Sequence, residues 1–304
     1  MASTAAGAQD RRIAAPGAAV MAARRGHAAF GLALVGPAFA LMVLVVLAPA
    51  AATLVRTFFV DGGSGPTLAN YAAFFSDARS VSNLLFTVEV TTATLAILLA
   101  IGLMLALYLR FSHSRLIGAI QILALFPLFV PGIVISFALI RFLGPTGVVP
   151  MVLRSLGIAG YQTPYLHPSG AVIGLVWENI PLTVMLLTAG LAQIPQSAIE
   201  AARDVGAGAL RILLSIILPQ LTRSIIVVIS LNFLGIFGSF TVPYILGPAA
   251  PQMMSIFMQR TFSELHLGSI AETQAAITFL VCLVAGAIYT AAVFRDTARG
   301  GAAA

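Results

Sequence analysis

Groups able to do chemistry are few in this chain, and they stand in two places. The first is Trp177-Glu178-Asn179, a carboxylate between an indole and an amide, inside a long apolar run and just ahead of Pro181. A charge held in hydrocarbon costs several kcal/mol, so such a group either meets a partner on a neighbouring helix or serves a function: a solute cation, or a proton. The second is Ile199–Pro219, I-E-A-A-R-D-V-G-A-G-A-L-R-I-L-L-S-I-I-L-P, which sets Glu200, Arg203, Asp204 and Arg211 between apolar segments. Glu89 is a lesser candidate, close enough to the end of its apolar run to reach the interface. His27, His113, His167 and His266 fall on separate segments, and Cys282 is the single cysteine. No metal site, no intramolecular disulfide and no nucleophile–base pair is expected from them. All 16 basic residues are arginines. Without lysine the chain can build neither a phosphate-binding P-loop nor a Schiff base.

The elements that must position these groups are membrane helices. Hydrophobic residues make up 60% of the chain, charged residues 9%, and the mean hydropathy is +1.02; a soluble domain carries roughly 25% charged residues. The fold class is all-α and polytopic. Six apolar runs, at 30–57, 83–109, 116–142, 170–193, 222–246 and 270–293, are each long enough to cross about 30 Å of hydrocarbon. Pro127, Pro131 and Gly132 predict a kink in the third. The segment before the first run, 1–27, reads as a basic tail. A secretory signal is the rival reading, but the apolar run that follows outlasts a signal's 7–15-residue core. Arg11, Arg12, Arg24, Arg25, Arg110, Arg115, Arg203, Arg211, Arg223, Arg295 and Arg299 fall on one side, and Arg56, Arg79, Arg141, Arg154 and Arg260 on the other. The positive-inside rule therefore expects both termini, and the 195–219 segment, in the cytoplasm. Basic charge here sets topology; no nucleic-acid partner is implied.

Locally, 195–219 reads as two short helices about a turn. Pro195 ends the fourth run, Ser197 and Glu200 have capping-box spacing, and a helix over about 198–205 follows. Gly206 supplies a left-handed stop, and a second helix runs from about 209 until Pro219 ends or kinks it. Ala198, Ala201 and Ala202 keep one surface of the first helix small. Two readings fit: a structural loop lying on the headgroups, or a knob that another protein can approach closely.

Glu200-Ala201-Ala202, three residues, Gly206, nine residues, then Ile216-x-Leu218-Pro219 resembles the signature of permease subunits of binding-protein-dependent ABC importers, with all seven fixed positions met in twenty residues. The resemblance covers about 83–293 and implies a methionine-importer-like (type I) permease fold in the bacterial inner membrane. It implies a tail at 1–27, an extra first helix and outer loop at 28–82, a core at 83–293 with its coupling loop at 195–219, and a tail at 294–304. It further implies that Glu200, Ala201, Ala202, Gly206, Ile216, Leu218 and Pro219 couple the chain to a cytoplasmic ATPase. The implied partners are two ATPase subunits, a second identical or homologous permease, an extracytoplasmic solute-binding protein and the bilayer. No cofactor is expected in this chain; ATP and Mg would be bound by the ATPase subunits. Phe237–Gly247 and the following M-M-S-I-F-M-Q-R-T-F resemble the spermidine/putrescine branch, so a polyamine-like solute is the expectation.

Candidate path residues are Trp177, Glu178 and Asn179 in the fourth run, and Asn232, Phe233, Ser239 and Thr241 in the fifth. The small and polar residues of the fifth run suit close helix contact as well as a path. A secondary transporter driven through Glu178 is the rival function, although no inverted repeat supports it. An enzyme is not expected.

Overall fold

The computed structural model describes residues 35–60 and 65–300. The tail at 1–27, the start of the first run and the turn at 61–64 lie outside the described residues. The described chain divides into two units, Met1–Arg56 and Thr57–Ala304. In the first, helix α1 (Val35–Arg56) has 22 residues, nearly all apolar, enough for roughly 33 Å of rise. Its Val43–Leu47 segment widens into a π-turn just before Pro49. Proline has no N–H to give and its ring collides with the preceding carbonyl; one extra residue in the turn relieves both.

The second unit contains α2 (Ala69–Ser76), α3 (Ala78–Phe111), α4 (Ile117–Leu125), α5 (Gly132–Leu143), α6 (Val148–Ser155), α7 (Pro168–Ala192) and α8 (Gln196–Asp204). After these come α9 (Ala209–Phe237), α10 (Thr241–Leu246), α11 (Met254–Ser263) and α12 (Gly268–Gly300). Counting α1, and α5 with α6 as one, six helices are long and apolar enough to cross a membrane. No strand occurs among the described residues.

Three of the expected runs, the third, the fifth and the last, differ from expectation. The third run does not merely kink. It parts into α4, a 3₁₀ turn at Phe126–Phe129, extended backbone at Val130 and a fresh helix at Gly132. Pro127 and Pro131 remove two donors within one turn, which a single helix cannot absorb. The candidate span here becomes Gly132–Ser155, which takes in both α5 and α6. The fifth run starts earlier. Pro219 neither ends nor breaks the helix, because a π-turn at Leu213–Ile217 accommodates it as the one before Pro49 does. The same helix stops at Phe237, and α10 begins after a break at Gly238–Phe240. The last helix continues to Gly300, so residues 294–300 are helical backbone.

The centre of the bundle is α7. Its Ala171, Leu175 and Val176 meet Phe86, Val90, Leu95 and Leu98 of α3, together with Ile236, Val242 and Leu246. Small residues set the crossings: a Cβ on Gly174 would strike Val242 and Leu246, and one on Gly190 would strike Ser224 and Leu221. In lipid no solvent drives helices together, so such close approach is what holds them. The buried Asn232 amide adds a bond to Thr183 Oγ1 across α9 and α7 (3.2 Å). At one end of the bundle the chain is stitched by polar bonds. Gln252 N–H donates to Asn83 Oδ1 and Met254 N–H to Thr87 Oγ1, both buried. At the same end the hydroxyls of Tyr161 and Thr163 both donate to the Leu143 carbonyl.

Candidate functional site

The 195–219 segment folds as a helical hairpin at the other end. Helix α8 begins at Gln196 directly after Pro195, whose fixed φ suits a helix start. No side chain caps it, so the expected Ser197–Glu200 box does not form: Pro195, not Ser197, holds the cap position, and both side chains are left exposed. The helix stops as expected. Gly206 has φ +81°. Its N–H donates to the Arg203 carbonyl and the Ala207 N–H to the Ala202 carbonyl, both at 2.9 Å, a complete Schellman turn.

The two sides of α8 are chemically distinct. Ile199 and Ala202 turn inward and, with Ala207, Ile212 and Ile217, join a cluster with Leu107 and Phe111 of α3 and Leu187 and Leu191 of α7. Glu200, Ala201 and Asp204 face out. The three expected small residues therefore do not share a surface: Ala198 and Ala202 lie on the bundle side and Ala201 opposite. Two docking candidates escaped the sequence reading. Val205 is 85% exposed and Leu210 67% exposed, flanking the turn. The signal available was an apolar residue on each side of the glycine pair Gly206 and Gly208. Ile216 and Leu218 are half-buried in and after the π-turn, and Pro219 is exposed.

The intramembrane candidates divide. Glu178 is exposed on α7, and its carboxylate lies beside Gly132: a Cβ there would sit 3.0 Å from Glu178 Oε1 and 3.5 Å from Val242. Thus Glu178, the first turn of α5 and the start of α10 meet, and two of the three stretches are fresh helix starts after breaks. The start of a helix presents unsatisfied N–H groups and a positive dipole end. Pro181, buried in α7, deprives the Trp177 carbonyl of its usual donor. Trp177 and Asn179 are half-buried, and the Asn179 amide is committed to the Leu175 carbonyl. Thr241 is exposed at the break, while the Ser239 carbonyl accepts from Ser255. Phe233 stacks on the buried Phe237 with ring centroids 5.2 Å apart. Asn232 is not at a surface: it is fully buried, and its amide serves Thr183 and the Val228 carbonyl. No group of three or more His, Cys, Asp or Glu that could hold a metal occurs among the described residues.

A bundle of long apolar helices interrupted beside Glu178, with a charged hairpin at one end, is the architecture of a multi-pass membrane protein. The chain belongs to the family of binding-protein-dependent transport system inner membrane components, whose model matches residues 98–296, more than half of its length. It is a permease of the ABC-importer kind, and its fold is that of type I importer permeases. It is 28% identical over 276 residues to a sulfoquinovosyl glycerol transport system permease protein of Agrobacterium fabrum, covering 84% of this chain and 87% of that one. It is 28% identical over 219 residues to a spermidine/putrescine transport system permease protein of Haemophilus influenzae, covering 69% and 76%. Among solved structures, a chain of a bacterial alginate ABC transporter, in complex with an alginate-bound periplasmic protein, superimposes with a TM-score of 0.72 at 17% identity, over 88% of this chain and 93% of that one. That likeness extends past the 83–293 core.

Proposed function

We propose that this chain is one of two permease subunits that together form the solute path of an ABC importer in the inner membrane, with both termini cytoplasmic. In this reading α8 is the coupling helix. ATP and Mg are bound by separate ATPase subunits, and an extracytoplasmic binding protein delivers the solute. The observation that carries it is the two-sidedness of α8: Ile199 and Ala202 anchor it, while Glu200, Ala201, Asp204 and Val205 are left exposed. Burying Val205 and Leu210 in a partner groove would supply roughly 1.5–3 kcal/mol each, and the two carboxylates would orient the contact. A cysteine at Ala201, in a chain with Cys282 replaced, should cross-link to the ATPase subunit and to no other component. Cross-linking equal to that of an Ala209 cysteine control would refute the assignment.

The solute path is proposed to pass the helix breaks beside Glu178, Gly132 and Thr241, and the solute to carry amino groups, as polyamines do. Support comes from the carboxylate of Glu178 and from the likeness to the spermidine/putrescine permease. Spermidine uptake that survives Glu178→Gln unchanged would overturn that choice.

A further inference from the structure

We propose that the cavity beneath the hairpin binds an anionic phospholipid, one acyl chain inside and its phosphate on Arg203. The cavity measures about 420 Å³, within the range of ligand sites. Leu107 and Phe111 of α3 form one wall, and Ile199, Ala209, Ile212 and Ile217 the other. Polar groups enter only from Tyr108 and Arg203, the pattern of an apolar ligand held by a polar head.

Three observations select a lipid. The cavity opens where α3 ends, at Phe111, which is headgroup depth for a spanning helix. Its lining carries one cation, Arg203, which makes no ion pair among those found in the described residues. The Arg110 guanidinium lies 5.8 Å from the Phe111 ring centroid, and its buried Nε has no hydrogen-bond partner. A buried guanidinium N–H requires an acceptor, and phosphate oxygens are its best match. Finally, a protein docked on Glu200, Ala201 and Asp204 would sit on the opposite side of α8 and leave the cavity to the membrane. Basic pockets at the cytoplasmic ends of membrane helices are suited to anionic headgroups. The lipid would fill the space between α3 and α8 and fix the standoff of the hairpin. This consequence, and the argument from a protein docked on the opposite side, rest on the coupling role proposed for α8; the cavity and its cation do not.

The test is native mass spectrometry of the purified full-length chain with phosphatidylglycerol or phosphatidylcholine. The wild type should retain phosphatidylglycerol about tenfold better, the ratio one ionic hydrogen bond supplies. Ala209→Trp, which fills the cavity, and Arg203→Gln, which removes the positive charge, should each bring retention down to the phosphatidylcholine level. Leu107→Trp plugs the same space from α3, should Ala209→Trp fail to fold. Equal retention of the two lipids by the wild type, or undiminished phosphatidylglycerol on the variants, overturns the proposal. Capture of an added ATPase subunit is read alongside: a wild type that prefers phosphatidylglycerol yet captures no ATPase subunit refutes the coupling reading alone.

Discussion

Gly206 gives the coupling reading a graded test. Its φ of +81° is reached cheaply only without a Cβ. A Cβ added there meets nothing within 4 Å, so Gly206→Ala carries the left-handed backbone cost alone, about 1–2 kcal/mol. Asparagine visits this conformation readily, and Gly206→Asn should cost much less. Proline forbids the φ and removes the N–H that donates to the Arg203 carbonyl, for about 3 kcal/mol or more. If the hairpin must hold this turn to dock, each cost passes into the affinity for the ATPase subunit, tenfold per 1.4 kcal/mol. Expected dissociation constants rise about threefold for Asn, about tenfold for Ala and more than a hundredfold for Pro. Titration of the detergent-purified permease against its ATPase on a biosensor measures this, with melting temperature as the control for the bundle. Wild-type affinity for Gly206→Pro, or an order other than Asn, Ala, Pro, would refute the reasoning.

Two further predictions concern the bundle. Gly190→Ala drives a methyl into Ser224 and Leu221, and overpacking of this kind costs about 1–3 kcal/mol. Adding Ser224→Gly should restore much of the loss in a double-mutant cycle read by thermal denaturation; independent, additive losses would contradict the crossing. Asp77 caps α3, accepting from the Ser80 hydroxyl (2.6 Å), the Ser80 N–H (2.9 Å) and the Arg79 N–H (3.4 Å). The Ser80 hydroxyl foremost holds its carboxyl below the usual carboxylate range. A depressed carboxylate stabilises above its unfolded pKa, near 4, and that contribution is lost as pH falls through the folded value. The melting-temperature gap between wild type and Asp77→Ala, a cap worth about 1 kcal/mol, should therefore be flat above about pH 5 and close in more acid buffer; a gap that widens in acid would be inconsistent with this.

The sequence made the class legible because hydropathy is a sum over many residues, and the turn at Gly206 legible because one residue type serves it. It misled where one residue had two roles. Ser197 and Glu200 have the spacing of a cap, yet Pro195 already starts α8, so both side chains are left exposed. Pro219 looked like a stop, but the π-turn before it depends on slack in the preceding backbone that no single residue announces. Pro127 and Pro131 signalled distortion; that the result is a fresh helix start facing Glu178 depends on α7 and α10, far away in sequence. Asn232 looked like a path residue because amides in membrane runs suit both paths and helix contacts. Its partner, Thr183, lies 49 positions away.

The central claim, that this permease is driven by ATP hydrolysis on partner subunits, is tested most directly by solute uptake into proteoliposomes holding the assembled complex and binding protein. Uptake should require ATP on the ATPase side, persist when a protonophore abolishes the proton gradient, and be lost with Gly206→Pro. Uptake that continues without ATP and collapses with the gradient would contradict the account and point to Glu178 as the coupling group of a secondary transporter.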